Sequence, residues 1–136
     1  MEETACVLKL RHLVFDDCTF IREGFKTDAE VKIELRFNFE DINEEDFIAR
    51  VEVTGKKENE YHFLVRAAGY FNLKGDVKSR DILIRQNATA IVFPYVRSQI
   101  SLLTAQPEVD PVVLPPFNIA KMVEDAINRG ELVDNK

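Results

Sequence analysis

The chain should fold as an α+β domain: an antiparallel sheet of four strands with a long helix and a C-terminal helix packed on one side. Three observations predict it. Strict alternation of apolar and polar residues fills the first half of the chain. After Gly75 the period lengthens to that of a helix. Asn118 and Gly130 then stand where a last helix would start and stop. Strands first and helices afterwards place an antiparallel sheet against a helical layer. With 136 residues and no linker or internal repeat, residues 1–136 read as a single domain.

The first strand runs from Cys6 to Ile21. Leu8 and Leu10 alternate with Lys9 and Arg11, the phase breaks near His12, and it resumes at Phe15. One extra residue in a β-bulge produces such a break. From Val31 to Phe39 every odd-numbered residue is apolar and every even-numbered one polar, so one face of a strand is buried. A third strand spans about Phe47 to Val53, and a polar turn, Gly55 to Glu60 (GKKENE), leads to a fourth from Tyr61 to Phe71. So short a connection predicts a hairpin.

From Ser79 to Thr104 there is no glycine, and Ile84, Ala88, Ile91, Tyr95, Ser98 and Leu102 follow three-four spacing. Pro94 should kink or interrupt this helix. Asn118 can cap a helix from Ile119 to about Arg129, ended by Gly130. Residues 131–136 read as a loose tail.

Composition excludes several functions. A net charge of −6 is the wrong sign for a nucleic-acid footprint, and the few basic pairs, such as Lys56 and Lys57, have acidic neighbours. Arg85, Pro94 and Arg97 interrupt the longest apolar stretch well short of the ~20 residues of a membrane span. Glu2 and Glu3 make the start acidic where an export signal is basic. The expectation is a soluble, cytoplasmic protein in which Cys6 and Cys18 are reduced packing residues.

Catalytic and metal-binding constellations are weak. His12 and His62 lie in strands, and a Cys18–His62 nucleophile pair has no support in the local sequence. Asp16 and Asp17 are adjacent and point opposite ways in a strand. The acidic stretch Asp41 to Asp46 lacks the glycine and the ligand ladder of a calcium loop. No phosphate-cradling loop, cysteine cluster or HExxH pair is present. We expect no enzyme, no cofactor and no metal.

What stands out is apolar surface. Ile91, Val92 and Phe93 in succession cover most of a helical circumference, so one side of the helix must meet something beyond its own sheet. Val112, Val113, Leu114 and Phe117 sit among prolines at 107, 111, 115 and 116. They form either a loop tucked on the fold or a stiff wall of an open groove.

These same residues carry a family resemblance. Ala90 to Arg97 (AIVFPYVR), Ile100 to Leu103 (ISLL) and Pro111 to Asn118 (PVVLPPFN) resemble the SecB export chaperones, and Gly69-Tyr70-Phe71 with Leu73-Lys74-Gly75 is similar to the end of their sheet. The resemblance implies ATP-independent binding of unfolded or precursor polypeptides in apolar grooves, and a homo-tetramer built as a dimer of dimers. It makes Phe37, Phe39, Val113, Leu114 and Phe117 groove candidates, and Tyr95, Ser98, Gln99 and Leu102 assembly candidates. Members that pass clients to the SecA motor carry an acidic patch on the outer sheet face. Asp17 matches one such carboxylate, whereas Ile21 and Leu64 fall where others are expected. SecB-like proteins that serve an antitoxin in a toxin–antitoxin system are therefore a second expectation. A subunit of the same fold that is structural, regulatory or binds a small apolar ligand is the third.

Overall fold

The computed structural model of the chain describes residues 7–74, 82–130 and 134–135. Its elements are β1 (Val7–Arg22), β2 (Val31–Asp41), β3 (Asp46–Lys57), β4 (Tyr61–Lys74), α1 (Ile82–Thr104), α2 (Ile119–Asn128) and β5 (Asp134–Asn135). The strand order is β1-β4-β3-β2-β5. The four long strands are antiparallel, and the helices cover one face, as the α+β reading requires. Cys6 and the expected helical turn at 79–81 lie outside the described residues.

In β1, two bulges replace the single one expected. Register shifts fall between Leu10 and His12 and between Phe15 and Asp17. Arg11 and Asp16 are the extra residues. Each insertion restores the phase, so Leu8, Leu10, Leu13 and Phe20 all reach the core side. Opposite them on β4 stand Leu73, Phe71, Gly69 and Phe63.

β3 continues through Lys57, so Gly55 to Lys57 belong to the strand and only residues 58–60 turn. Two local causes extend it. Gly55 lies under the Phe63 ring, where a side chain would not fit. Lys57 and Glu60 are both buried and form an ion pair at 3.0 Å. Glu60 also accepts from the Thr27 amide at 2.8 Å, and its backbone carbonyl accepts from Glu23 and Gly24. The β1–β2 crossover is thereby pinned to the tip of the β3–β4 hairpin.

Burial alone would raise the Glu60 carboxyl. The Thr27 amide and the Lys57 ammonium, with Arg22 beyond, outweigh it and hold the group below the usual glutamate range. Because the folded-state pKa is the lower one, this contribution is fully present above the unfolded glutamate pKa. It is lost as pH falls through the depressed value. Glu60→Gln should lower the melting temperature at neutral pH and show a shallower acid dependence than the natural chain. Parallel acid dependences would show that Glu60 is not the group titrating.

α1 runs uninterrupted past Pro94. Pro94 faces outward, and so does Ala90, whose carbonyl loses its helical partner and can meet water instead. The sheet takes the row Ala88, Val92, Val96 and Ile100, all fully buried, and leaves Ile91, Tyr95, Ser98 and Leu102 exposed on the outward side. Gly69 shows why. A Cβ there would stand 2.6 Å from Val92 Cγ2, so the missing side chain lets α1 lie close on β4 at Val92.

Asn118 caps α2, its side chain accepting from the Lys121 amide at 3.1 Å, and Gly130 takes the left-handed conformation at φ 73°. The tail departs from expectation, because Asp134 and Asn135 pair in parallel with Phe39 and Glu40.

Candidate functional site

A length mismatch opens the candidate site. β2 has 11 residues, roughly 36 Å of strand, whereas the 10 residues of α2 rise only about 15 Å. Ile119, Val123 and Ala126 dock α2 into the core. The helix is then too short to roof the whole core-facing side of β2, and Val31, Ile33 and Leu35 stay partly uncovered.

The gap is an open trough of about 660 Å³ between residues 34–37 of β2 and the face of α2 formed by Met122, Asp125, Ala126 and Arg129. Leu35, Phe37 and Met122 supply apolar floor. Glu34 bridges Arg36 at 3.4 Å, and Lys121 approaches Asp125 at 3.6 Å along the rim. Such a rim leaves the trough little net charge, while its floor can take an apolar side chain.

The groove candidates separate. Phe37 lines the trough. Phe39 is core, 1 % exposed, with the Arg85 guanidinium 5.2 Å from its ring centre. Leu114 is core too, at 3 %. These two are a correction: packing has taken the surface that the alternation and the proline-rich loop appeared to offer. Val113 is 75 % exposed. Phe117 is half-buried, edge-on to Phe93 at 6.0 Å.

Pattern reading passed over Met122 and Ala126, although their i, i+4 spacing in the last helix is legible. Leu35 stood in the alternation without being singled out.

The proline-rich segment is a wall held by α1. Ser101 Oγ donates to the Val112 carbonyl at 3.0 Å, Thr104 Oγ1 accepts from the Val112 amide at 2.8 Å, and Arg97 donates to the Pro115 carbonyl at 3.2 Å. Thr104 itself is fully buried and donates to Ile100 O. Thr104→Val preserves shape but leaves the Val112 amide unpaired. It should destabilise the fold by about 1–3 kcal/mol in urea denaturation, and an unchanged midpoint would mean the wall is held without this bond.

Tyr95, Ser98 and Leu102 lie together on the outward side of α1, with Leu102 69 % exposed. Gln99 turns away from that row, half-buried, and stands beside the Cys18 thiol of β1.

On the other face of the sheet, Asp17 closes a row that crosses all four long strands: Arg36, Glu52, Arg66, Asp17. Arg66 donates to Glu52 at 3.0 Å, and Asp17 accepts from Thr19 at 2.5 Å. Ile21 and Leu64 lie on the same face, since Thr19 pairs with Leu64 and Ile21 with His62. Charge there alternates in sign, and among the described residues no acidic patch forms.

Nucleophilic chemistry gains nothing from the fold. Cys18 is exposed rather than packed in the core, yet partial desolvation pushes its thiol up, the Asp17 charge adds to that, and the neighbouring Gln99 offsets only part. A reactive thiolate needs the opposite shift. His62 is engaged with Glu23 at 2.6 Å. In the Asp41–Asp46 turn, Asn43 Oδ1 accepts from the Glu45 and Asp46 amides. Among the described residues no group of His, Cys, Asp or Glu is placed to hold a metal ion. Nor is any described helix long and apolar enough to cross a membrane.

Comparison with known proteins agrees with this arrangement. Residues 16–129 match the family described as preprotein translocase subunit SecB. An uncharacterized protein of Methanocaldococcus jannaschii is 28% identical over 134 residues, covering 87% of this chain and 83% of its own. The protein-export protein SecB of Rickettsia akari is 26% identical over 99 residues, 68% of this chain and 65% of its own. Among solved structures, the SecB-like chaperone of Mycobacterium tuberculosis, in complex with a peptide from the HigA1 antitoxin, superposes with a TM-score of 0.61 at 13% identity. It covers 81% of this chain and 87% of that one. A Streptococcus agalactiae protein of unknown function gives 0.54 at 12% identity, covering 83% and 99%. At such identities the structural likeness concerns the fold.

Proposed function

The chain belongs to the SecB family, and we propose that it is an ATP-independent chaperone that holds non-native polypeptides in the trough between β2 and α2. The observation that carries this reading is the trough itself: apolar floor left open by a helix shorter than the strand beneath it. A client Phe or Leu buried there gains about 1.5–3 kcal/mol with no sequence code required. Ordering a flexible chain offsets much of that gain, so one shallow trough holds weakly and several on one assembly hold well. The exposed row Tyr95, Ser98 and Leu102 is one surface through which copies would associate, and a second contact through the strands would complete a homo-tetramer as a dimer of dimers.

The test is light scattering of a reduced, unfolded model protein with and without the chain. Suppressed aggregation at a few-fold excess is expected. Unaltered aggregation would leave a structural or small-ligand subunit of the same fold.

The outer sheet face bears on who the clients are. The alternating row ending at Asp17, beside apolar Ile21 and Leu64, offers a SecA-type motor no acidic patch. That favours an antitoxin as client over precursors bound for export. A toxin–antitoxin pair encoded beside this chain, and binding of that antitoxin's segment, would support the choice. Binding of SecA with loss on Asp17→Lys would reverse it.

A further inference from the structure

The outer sheet face carries a feature that neither the trough nor the assembly row uses. Lys32, Lys56, His62 and Ile21 stand side by side across β2, β3, β4 and β1. Lys32 is directly opposite Lys56. Like charges so placed destabilise a sheet, so folding gives no reason for the pair. Among the described residues no carboxylate is paired with Lys32, and Lys56 has only Glu58, at 3.8 Å. His62 is held by Glu23 at 2.6 Å. The next row holds Glu34, Thr54, Leu64 and Thr19. Lys32, Lys56, Thr54 and the half-buried Leu64 line one shallow depression of about 590 Å³. Its two carboxylates are already engaged, Glu34 with Arg36 at 3.4 Å and Glu52 with Arg66 at 3.0 Å. What remains is a pair of lysines beside aliphatic surface, which Ile21, 46 % exposed, extends.

We propose that this depression docks an acidic polypeptide segment with an aliphatic or aromatic side chain among its carboxylates. The carboxylates neutralise Lys32 and Lys56 and remove their repulsion, while the apolar side chain covers Leu64 and Ile21. Charge complementarity selects the partner's sign. The chain as a whole carries −6, so it repels acidic segments over most of its surface and offers them a landing point here. Glu34 and Glu52, set among the cations, disfavour the dense phosphates of a nucleic-acid strand.

The probe is a short synthetic peptide of glutamates around one leucine, labelled and titrated into the full chain. Binding should weaken as salt rises, and amide shifts in NMR should cluster at Lys32, Lys56 and Leu64. Lys32→Glu should cut affinity about tenfold or more. Its melting temperature should stay level or rise, because a Lys–Lys pair becomes a Glu–Lys pair. If that variant melts lower, Lys32→Gln carries the same test. Leu64→Ser should cost about threefold or more by removing the apolar contact. Absence of binding, affinity indifferent to the charge at position 32, or shifts confined to α2 would each overturn the inference. So would an oligonucleotide of matched charge that binds as tightly as the peptide, since any polyanion would then suffice.

Discussion

Met122→Glu is expected to weaken client binding tenfold or more while the domain stays folded. Met122 is half-buried, contributing floor to the trough from the helix side. Glutamate suits a helix as well as methionine does, so α2 should persist. What changes is the floor: a flexible apolar surface is replaced by a carboxylate beside Asp125 and across from Glu34. A client side chain that gained about 1.5–3 kcal/mol there would lose most of it, and each 1.4 kcal/mol is tenfold in affinity. The measurement is the concentration of chain needed to halve aggregation of an unfolded protein, beside a melting curve. Unchanged suppression with an unchanged melt would place the client elsewhere, with exposed Val113 the next surface to alter.

Leu102→Glu should have its effect on mass rather than on folding. The side chain is already 69 % exposed in a single copy, so the fold should change by no more than about 0.5 kcal/mol. If copies associate through the outward row of α1, the same substitution places a charge in each interface. Desolvating an unpaired ion costs several kcal/mol, enough to dissolve the assembly at micromolar concentration. Light scattering behind size exclusion should show a smaller species. An undiminished mass would put the interface elsewhere, and the edge strand β1 would be the first place to look.

How much of this was legible in the sequence depends on how local each cause is. The alternation of Val31 to Phe39 and the Asn118 cap are written in neighbouring residues, and both elements formed where expected. The choice of face on α1 was legible only in part, in the outward placing of Tyr95, Ser98 and Leu102. The rows through Ile91 and Tyr95 and through Val92 and Val96 are about equally apolar, and a glycine on β4 decides between them. The extra turn of strand at Gly55 to Lys57 depends on a buried pair that looks, in sequence, like ordinary solvated charge. The trough is the least local feature, since it comes from the unequal lengths of two elements eighty residues apart. Phe39 and Leu114 illustrate the same point from the other side: the pattern marks them as apolar without saying what covers them.

The two bulges in β1 have a consequence for a protein that would work among unfolded chains. Stacked, fibre-like growth needs a strand edge whose repeat is regular enough for one backbone after another to add in register. With 16 residues, β1 is long enough to template such growth. Arg11 and Asp16, however, break its repeat twice, at intervals of five residues. The edge offers no more than short runs in phase, and each break carries a charge. The interruption first visible as a lost beat near His12 would thus keep this chain from seeding the deposits that a holder of unfolded polypeptides exists to prevent.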